Sequence, residues 1–186
     1  MWSTAAERVA QESALANAER VELERRFDQL MAENGGALAR LAASFTNAPA
    51  DRDDLVQEMA LAIWRALPKF RGECSARTFL FRVAHNRAVS HLVRRRSAPP
   101  SATVEDTQVR DPAPDPEAGL ARGQQGERLR RAVHSLPPAY RQVVTLMLEG
   151  MDYSEIAQVL GLSESNVGAR LSRARQMLRE SMEVSR

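Results

Sequence analysis

A single cysteine, Cys74, stands among the 186 residues. One thiol cannot close an internal disulfide or build a thiolate zinc cage, and Cys74, His85 and His91 sit at spacings that match no common ligand pattern. No metal and no cofactor is expected, and Cys74 reads as a small packing residue. Aromatic residues are scarce too, at 5%. No apolar run approaches the roughly 18 residues of a membrane span. From Ser3 onward the N-terminus is polar, without the basic, apolar and small-residue blocks of a secretory signal. These absences argue for a cytoplasmic protein. Also missing are alternating β-branched runs long enough for a sheet, a nucleophile with its base, a paired-carboxylate site and a phosphate-cradling glycine loop. An enzyme is therefore not expected.

What is present is helical. Every periodic segment repeats at the helical period, so the fold class is all-α, and a hydrophobic share of 44% suffices for one ordinary core or two small ones. The formal net charge of +2 is too small to advertise a nucleic-acid partner, but its distribution is uneven. Arg94, Arg95 and Arg96 stand together, and Arg170, Arg173, Arg175 and Arg179 recur along one late segment. Between these regions, residues 97–119 hold five prolines and five acids against the single base Arg110. Such a stretch has almost nothing to bury and reads as a flexible, acidic, Pro-rich linker, locally polyproline-like. Four parts are expected: an N-terminal extension over 1–19, helical or frayed, a helical domain over 20–96, the linker over 97–123, and a second small helical domain over 124–186.

The C-terminal part carries the sharper local signals. A helix should start after Pro137 and Pro138 and stop at Glu149 and Gly150. Asp152 with Glu155 three residues on has the spacing of a capping box, Ile156, Ala157 and Leu160 supply a buried face, and Gly161 permits a tight left-handed turn. Ser163 should cap a further helix whose Val167, Leu171, Ala174 and Leu178 fall on one stripe. Its opposite side carries Ser165, Ala169, Ser172 and Gln176, flanked by Arg173 on one edge and by Gly168 and Arg175 on the other. A short helix, a tight turn and a longer basic helix form a helix-turn-helix, whose second helix enters the major groove with its N-terminal residues nearest the bases. Arginines at 170, 173 and 175 suit phosphates, which supply affinity without sequence information. Gly168 either lets the backbone approach DNA closely, the preferred reading, or makes room for a neighbouring helix.

In the N-terminal domain, "DRDDLVQEMALAIWRALPKFRGECSARTFLFRVAHNRAVSHLVRRR" holds two helices separated by "PKFRGE". The first should bury Leu55, Val56, Met59, Ile63 and Leu67, with Asp54, Gln57, Glu58, Leu61 and Arg65 outward; the second should be capped near Ser75. Two domains of this kind, in this order, resemble the bacterial RNA polymerase sigma factors of the extracytoplasmic-function type over about residues 25–182. "DDLVQEMALAIWRAL" is similar to the helix that binds core polymerase, the following segment to the one that opens and reads the −10 element, and the helix-turn-helix to the −35 reader.

The resemblance implies a promoter-specificity subunit, stress- or signal-responsive, with core polymerase and promoter DNA as partners and an anti-sigma factor covering both domains. It implies core contacts at Asp54, Gln57, Glu58, Leu61, Trp64 and Arg65. For the −10 element it implies Lys69, Arg71, Phe79, Phe81, Asn86, Arg87, Arg94, Arg95 and Arg96, with Asn86 holding an extruded base and one of the two phenylalanines outside the core. For the −35 element it implies Ser165, Asn166, Gly168, Ala169, Arg170, Ser172, Arg173 and Arg175. The acidic linker would thread near the path of nascent RNA. An ordinary helix-turn-helix repressor would leave residues 53–96 unexplained, and a decoy that only sequesters an anti-sigma factor would need a receiver domain that is absent from this sequence.

Overall fold

A computed structural model describes residues 3–46, 48–97, 129 and 131–184, and every regular element among them is helical. The linker assigned to 97–123 lies outside them apart from Ser97. Helix α1 spans Ser3–Ala43 without a break at residue 19, so the extension and the first domain share one helix. Its described side chains before Leu23, Arg8 and residues 10–22, are exposed, and it begins to bury side chains from Leu23 onward. Helix α2, Pro49–Ala66, has proline in its first turn, where the missing N–H costs nothing, and Asp51 beside it complements the helix dipole. Leu55, Met59 and Ile63 are buried along one face. Pro68 cannot continue the helix, and the chain tightens into a 3-10 turn over Leu67–Lys69 before Gly72 reverses it at φ +79°.

Helix α3, Ala76–Ser97, starts where the Thr78 backbone N–H donates to the Ser75 hydroxyl at 2.9 Å. It packs against both α1 and α2. A helical segment over 131–135 leads into α4, Pro138–Leu148. Helix α5, Tyr153–Leu160, has the complete capping box: the Glu155 N–H donates to Asp152 at 2.8 Å, and the Asp152 N–H to the Glu155 carboxylate at 3.1 Å. Gly161 closes it in the left-handed region at φ 65°. Helix α6, Glu164–Val184, follows the Ser163 cap and buries Val167, Leu171 and Ala174 against α4 and α5.

The two helical groups are not held apart. One apolar cluster runs from Leu38, Leu41 and Phe45 of the first group through Leu80 and Phe81 to Val143, Leu146 and Ile156 of the second. Polar bridges line the seam. Arg40 donates twice to the Glu149 carboxylate, at 2.6 and 2.8 Å, and Arg77 donates to the Glu149 carbonyl at 2.6 Å. Thr78 donates to Glu155 at 3.0 Å, and Arg141 to the Ser44 carbonyl at 3.2 Å. His85 Nε2 meets the Gln142 side-chain oxygen at 3.3 Å, and His134 meets the Ala43 carbonyl at 3.1 Å. The sequence pattern of two helical domains says nothing of this contact surface, which joins them directly.

Candidate nucleic-acid interface

Helix α6 presents the most open of the candidate surfaces. Ser165, Asn166, Ala169, Ser172, Arg173 and Arg175 are all exposed on it, opposite the buried stripe. Arg170 is half-buried and donates through Nε to the Asn166 side chain at 3.0 Å, one turn back. Gly168 is half-buried as well, at the junction with α5: a Cβ there would lie 3.5 Å from the Tyr153 ring, an ordinary contact. A methyl fits that space, while a long side chain must run past Tyr153 to reach solvent. Packing therefore does not demand glycine at 168, but it does shape what a replacement would present.

Helix α2 divides its outward residues between two directions. Asp54, Gln57, Leu61 and Arg65 are exposed at helical spacing and form one continuous stripe, with Leu61 at 55% relative exposure. Trp64 sits at the stripe's edge, half-buried, with Phe27 of α1 set edge-on to its ring at 5.2 Å between centroids. Glu58 departs from the expectation. Its carboxylate turns toward α3, where Arg87 Nε reaches it at 3.2 Å, His91 Nδ1 at 3.1 Å and Arg94 Nη2 at 2.9 Å. Partial burial pushes this carboxyl up, but the His91 hydrogen bond and the charges of Arg87 and Arg94 outweigh it and hold Glu58 below its usual range. One turn nearer the N-terminus of α2 than Asp54, Asp51 takes Arg95 in an ion pair.

On α3, Asn86 is exposed while its neighbours Ala84, His85 and Ala88 are buried. Lys69 and Arg71 are exposed in and after the 3-10 turn. The side chain of Arg96 lies outside the described residues. The two phenylalanines do not divide between core and surface. Phe79 is 7% exposed with its ring 4.5 Å from that of Phe70, and Phe81 is fully buried with the Arg77 guanidinium over it at 5.2 Å. The reason is tertiary: α1, α2 and α5 all pack on α3, so three sides of its first turns are covered. Neither ring is open to a base in this arrangement.

Two features escaped the sequence reading. The seam could not be read from local pattern. The carboxylate pair had a legible sign: Asp51 and Glu58 are seven apart on one face of α2, and Arg87, His91 and then the adjacent Arg94 and Arg95 follow one another about a turn apart along α3. Among the described residues no group of three or more His, Cys, Asp or Glu side chains is placed to hold a metal, and no helix is long and apolar enough to cross a membrane.

These surfaces coincide with known family regions. The sigma-70 region 2 model matches residues 30–98 and the sigma-70 region 4 model residues 126–178. The RNA polymerase sigma-H factor of Pseudomonas aeruginosa is 30% identical over 169 residues, covering 86% of this chain and 87% of its own. The ECF RNA polymerase sigma-E factor of Escherichia coli K12 is 31% identical over 137 residues, covering 69% and 72%. The chain belongs to the sigma-70 family of RNA polymerase sigma factors, in the extracytoplasmic-function group. Among solved structures, CnrH in complex with the cytosolic domain of CnrY has a TM-score of 0.63 at 30% identity, covering 88% of this chain and 91% of that one. The sigma factor RpoE of Bartonella quintana, in complex with the anti-sigma factor NepR, shares the fold at a TM-score of 0.67 and 22% identity, over 87% and 99%. Members of the family are non-enzymatic initiation factors that bind core RNA polymerase and promoter DNA.

Proposed function

We propose that this chain docks on core polymerase through the exposed α2 stripe of Asp54, Gln57, Leu61 and Arg65, with Trp64 at its edge. It holds the −10 element at Asn86, with Lys69, Arg71, Arg87 and Arg94 to Arg96 along the phosphates, and assists melting there. It reads the −35 element with the N-terminal half of α6. The observation that carries this reading is the exposure of Ser165, Asn166, Ala169, Ser172 and Arg173 on the second helix of a helix-turn-helix. That is the surface that enters a major groove.

Few long side chains face outward there apart from the arginines, which favours phosphate contacts and DNA shape over many bidentate base contacts. Elements centred about 25 base pairs apart lie roughly 85 Å apart along B-DNA at 3.4 Å per pair. Reading both at once therefore requires the seam between α1–α3 and α4–α6 to part, with the linker spanning the gap. An anti-sigma factor that covers both domains would act on the same equilibrium; of the solved relatives named above, one is bound to an anti-sigma factor and the other to the cytosolic domain of CnrY.

Transcription by purified core polymerase, with and without this chain, on promoter fragments selected from genomic DNA tests the reading. Initiation that depends on the chain supports it. A chain that neither joins core nor directs initiation overturns it.

A further inference from the structure

The Glu58 carboxylate is the only acid on α2 that gathers three bases of α3, among the described residues. Its position invites assignment to the polymerase stripe, being one residue from Gln57 and four from Asp54. The geometry is otherwise. The side chain is 29% exposed and faces the α2–α3 groove, whereas Asp54, Gln57 and Leu61 point to solvent.

The way the bases approach matters more than their number. Arg87 engages Glu58 through Nε, and Arg94 through Nη2 alone. Each guanidinium has five N–H donors in a rigid fork, so each keeps donors for a second acceptor. Among the described residues no other acceptor meets either one. Arg94 remains 55% exposed at the side chain, and Arg87 32%. Free arginine side chains have much rotamer entropy, part of which must be lost when they grip a phosphate. A carboxylate that has already fixed one N–H of each removes part of that loss beforehand. Arg87 and Arg94 lie one and eight residues beyond Asn86 on the same helix, and His91, between them, completes the ring around the carboxylate.

We infer that Glu58 is a positioning residue for promoter binding: it holds Arg87 and Arg94 in the conformation that meets the phosphates beside the −10 element, and is not itself a polymerase contact. The inference rests on the proposed assignment of these arginines to DNA. It also gives α2 two separate duties on adjacent edges, one toward polymerase and one toward the DNA-binding helix.

The test uses the full chain assembled with core polymerase. Glu58→Gln keeps size and removes charge. Its affinity for core should stay within about twofold of the parent, as for a surface substitution. Holoenzyme affinity for a selected promoter fragment should fall about threefold to tenfold, and the slope of log affinity against log salt should drop by about one. In an Arg87→Ala/Arg94→Ala background, Glu58→Gln should have no further effect on promoter affinity; a merely structural role would leave its cost intact there. Glu58→Asp, shorter but charged, should recover part of the loss.

A large loss of core affinity with normal promoter binding by preassembled holoenzyme would make Glu58 a polymerase contact and overturn the inference. So would a rise in promoter affinity, which would mark Glu58 as a neutralising charge. If Arg87→Ala and Arg94→Ala leave promoter affinity unchanged in a chain that still initiates transcription, the DNA assignment of those arginines fails and the inference falls with it. If they lower it while Glu58→Gln does not, only the role of Glu58 fails.

Discussion

The arginines at the two ends of this chain live under different rules. On α3 four arginines are held by other elements: Arg77 by the Glu149 carbonyl and Asn34, Arg87 and Arg94 by Glu58, Arg95 by Asp51. On α6, Arg173, Arg175 and Arg179 are exposed and meet no acid among the described residues, and Arg170 meets only Asn166 of its own helix. A helix inside a bundle has its side chains set by its neighbours. A helix on a rim leaves them to the ligand. The first arrangement favours preorganisation, the second favours adaptation to whatever ligand arrives.

The comparison breaks most severely where α3 is buried. Phe81→Ala, at a fully enclosed site, should cost about 3–5 kcal/mol of stability, measured by chemical denaturation, whereas Ser172→Ala on the open face of α6 should change it by less than about 0.5 kcal/mol. Next in size is the seam. Glu149→Ala removes the acceptor of both Arg40 bonds and should loosen the two helical groups at a cost of about 1–3 kcal/mol. A larger distance between labels placed on Ala139 and Arg26 would register it, and an unchanged distance would show that apolar packing alone holds the seam.

Asp152→Ala should follow at about 1 kcal/mol, because it strips the capping box from the N-terminus of α5. Gly168→Ala should run the other way, stabilising α6 by up to about 1 kcal/mol, since the added Cβ finds the Tyr153 ring at 3.5 Å without a clash. Gly168→Arg should instead change −35 preference or affinity in promoter selection while leaving core binding intact.

The pH response should be smaller and of fixed sign. Burial of His85 at the seam pushes its pKa below the usual 6.5, against the opposing effect of its hydrogen bonds with the Gln142 side-chain oxygen and with Asn86. The unfolded chain then takes up that proton at a higher pH than the folded one does. The contribution is therefore present above pH 6.5 and lost as the pH falls through the window beneath it. The thermal midpoint should drop on acidification across that window, and His85→Gln should flatten the response.

Much of the C-terminal half was legible because its signals are local. Pro138, Asp152 with Glu155, Gly161 and Ser163 act within a few residues of themselves, and each does in the structure what its chemistry suggests. Glu149 shows the limit. It reads correctly as the end of a helix, yet its carboxylate is matched to Arg40, 109 residues away, which no local pattern can announce. On α3 a helical period was visible, but the fate of Phe79 and Phe81 was not. Which sides of a helix are covered depends on how many elements pack on it, and here that number is three. The alanine-rich start of α1 was undecided for the opposite reason: its described side chains before Leu23 bury nothing, and the helix there extends a part that is anchored further on.

By itself the sequence determined the helical class, the caps of the C-terminal half, the apolar stripes and the family, since these follow from residue chemistry acting over one or two helical turns and from motifs carried in order along the chain. Only the tertiary structure decided that the two helical groups share one core, that Phe81 is enclosed, and that Glu58 faces the arginines of α3 and not the solvent. Those outcomes depend on surfaces brought together across tens of residues, where the winning contact is chosen by competition among all the faces the chain can bury.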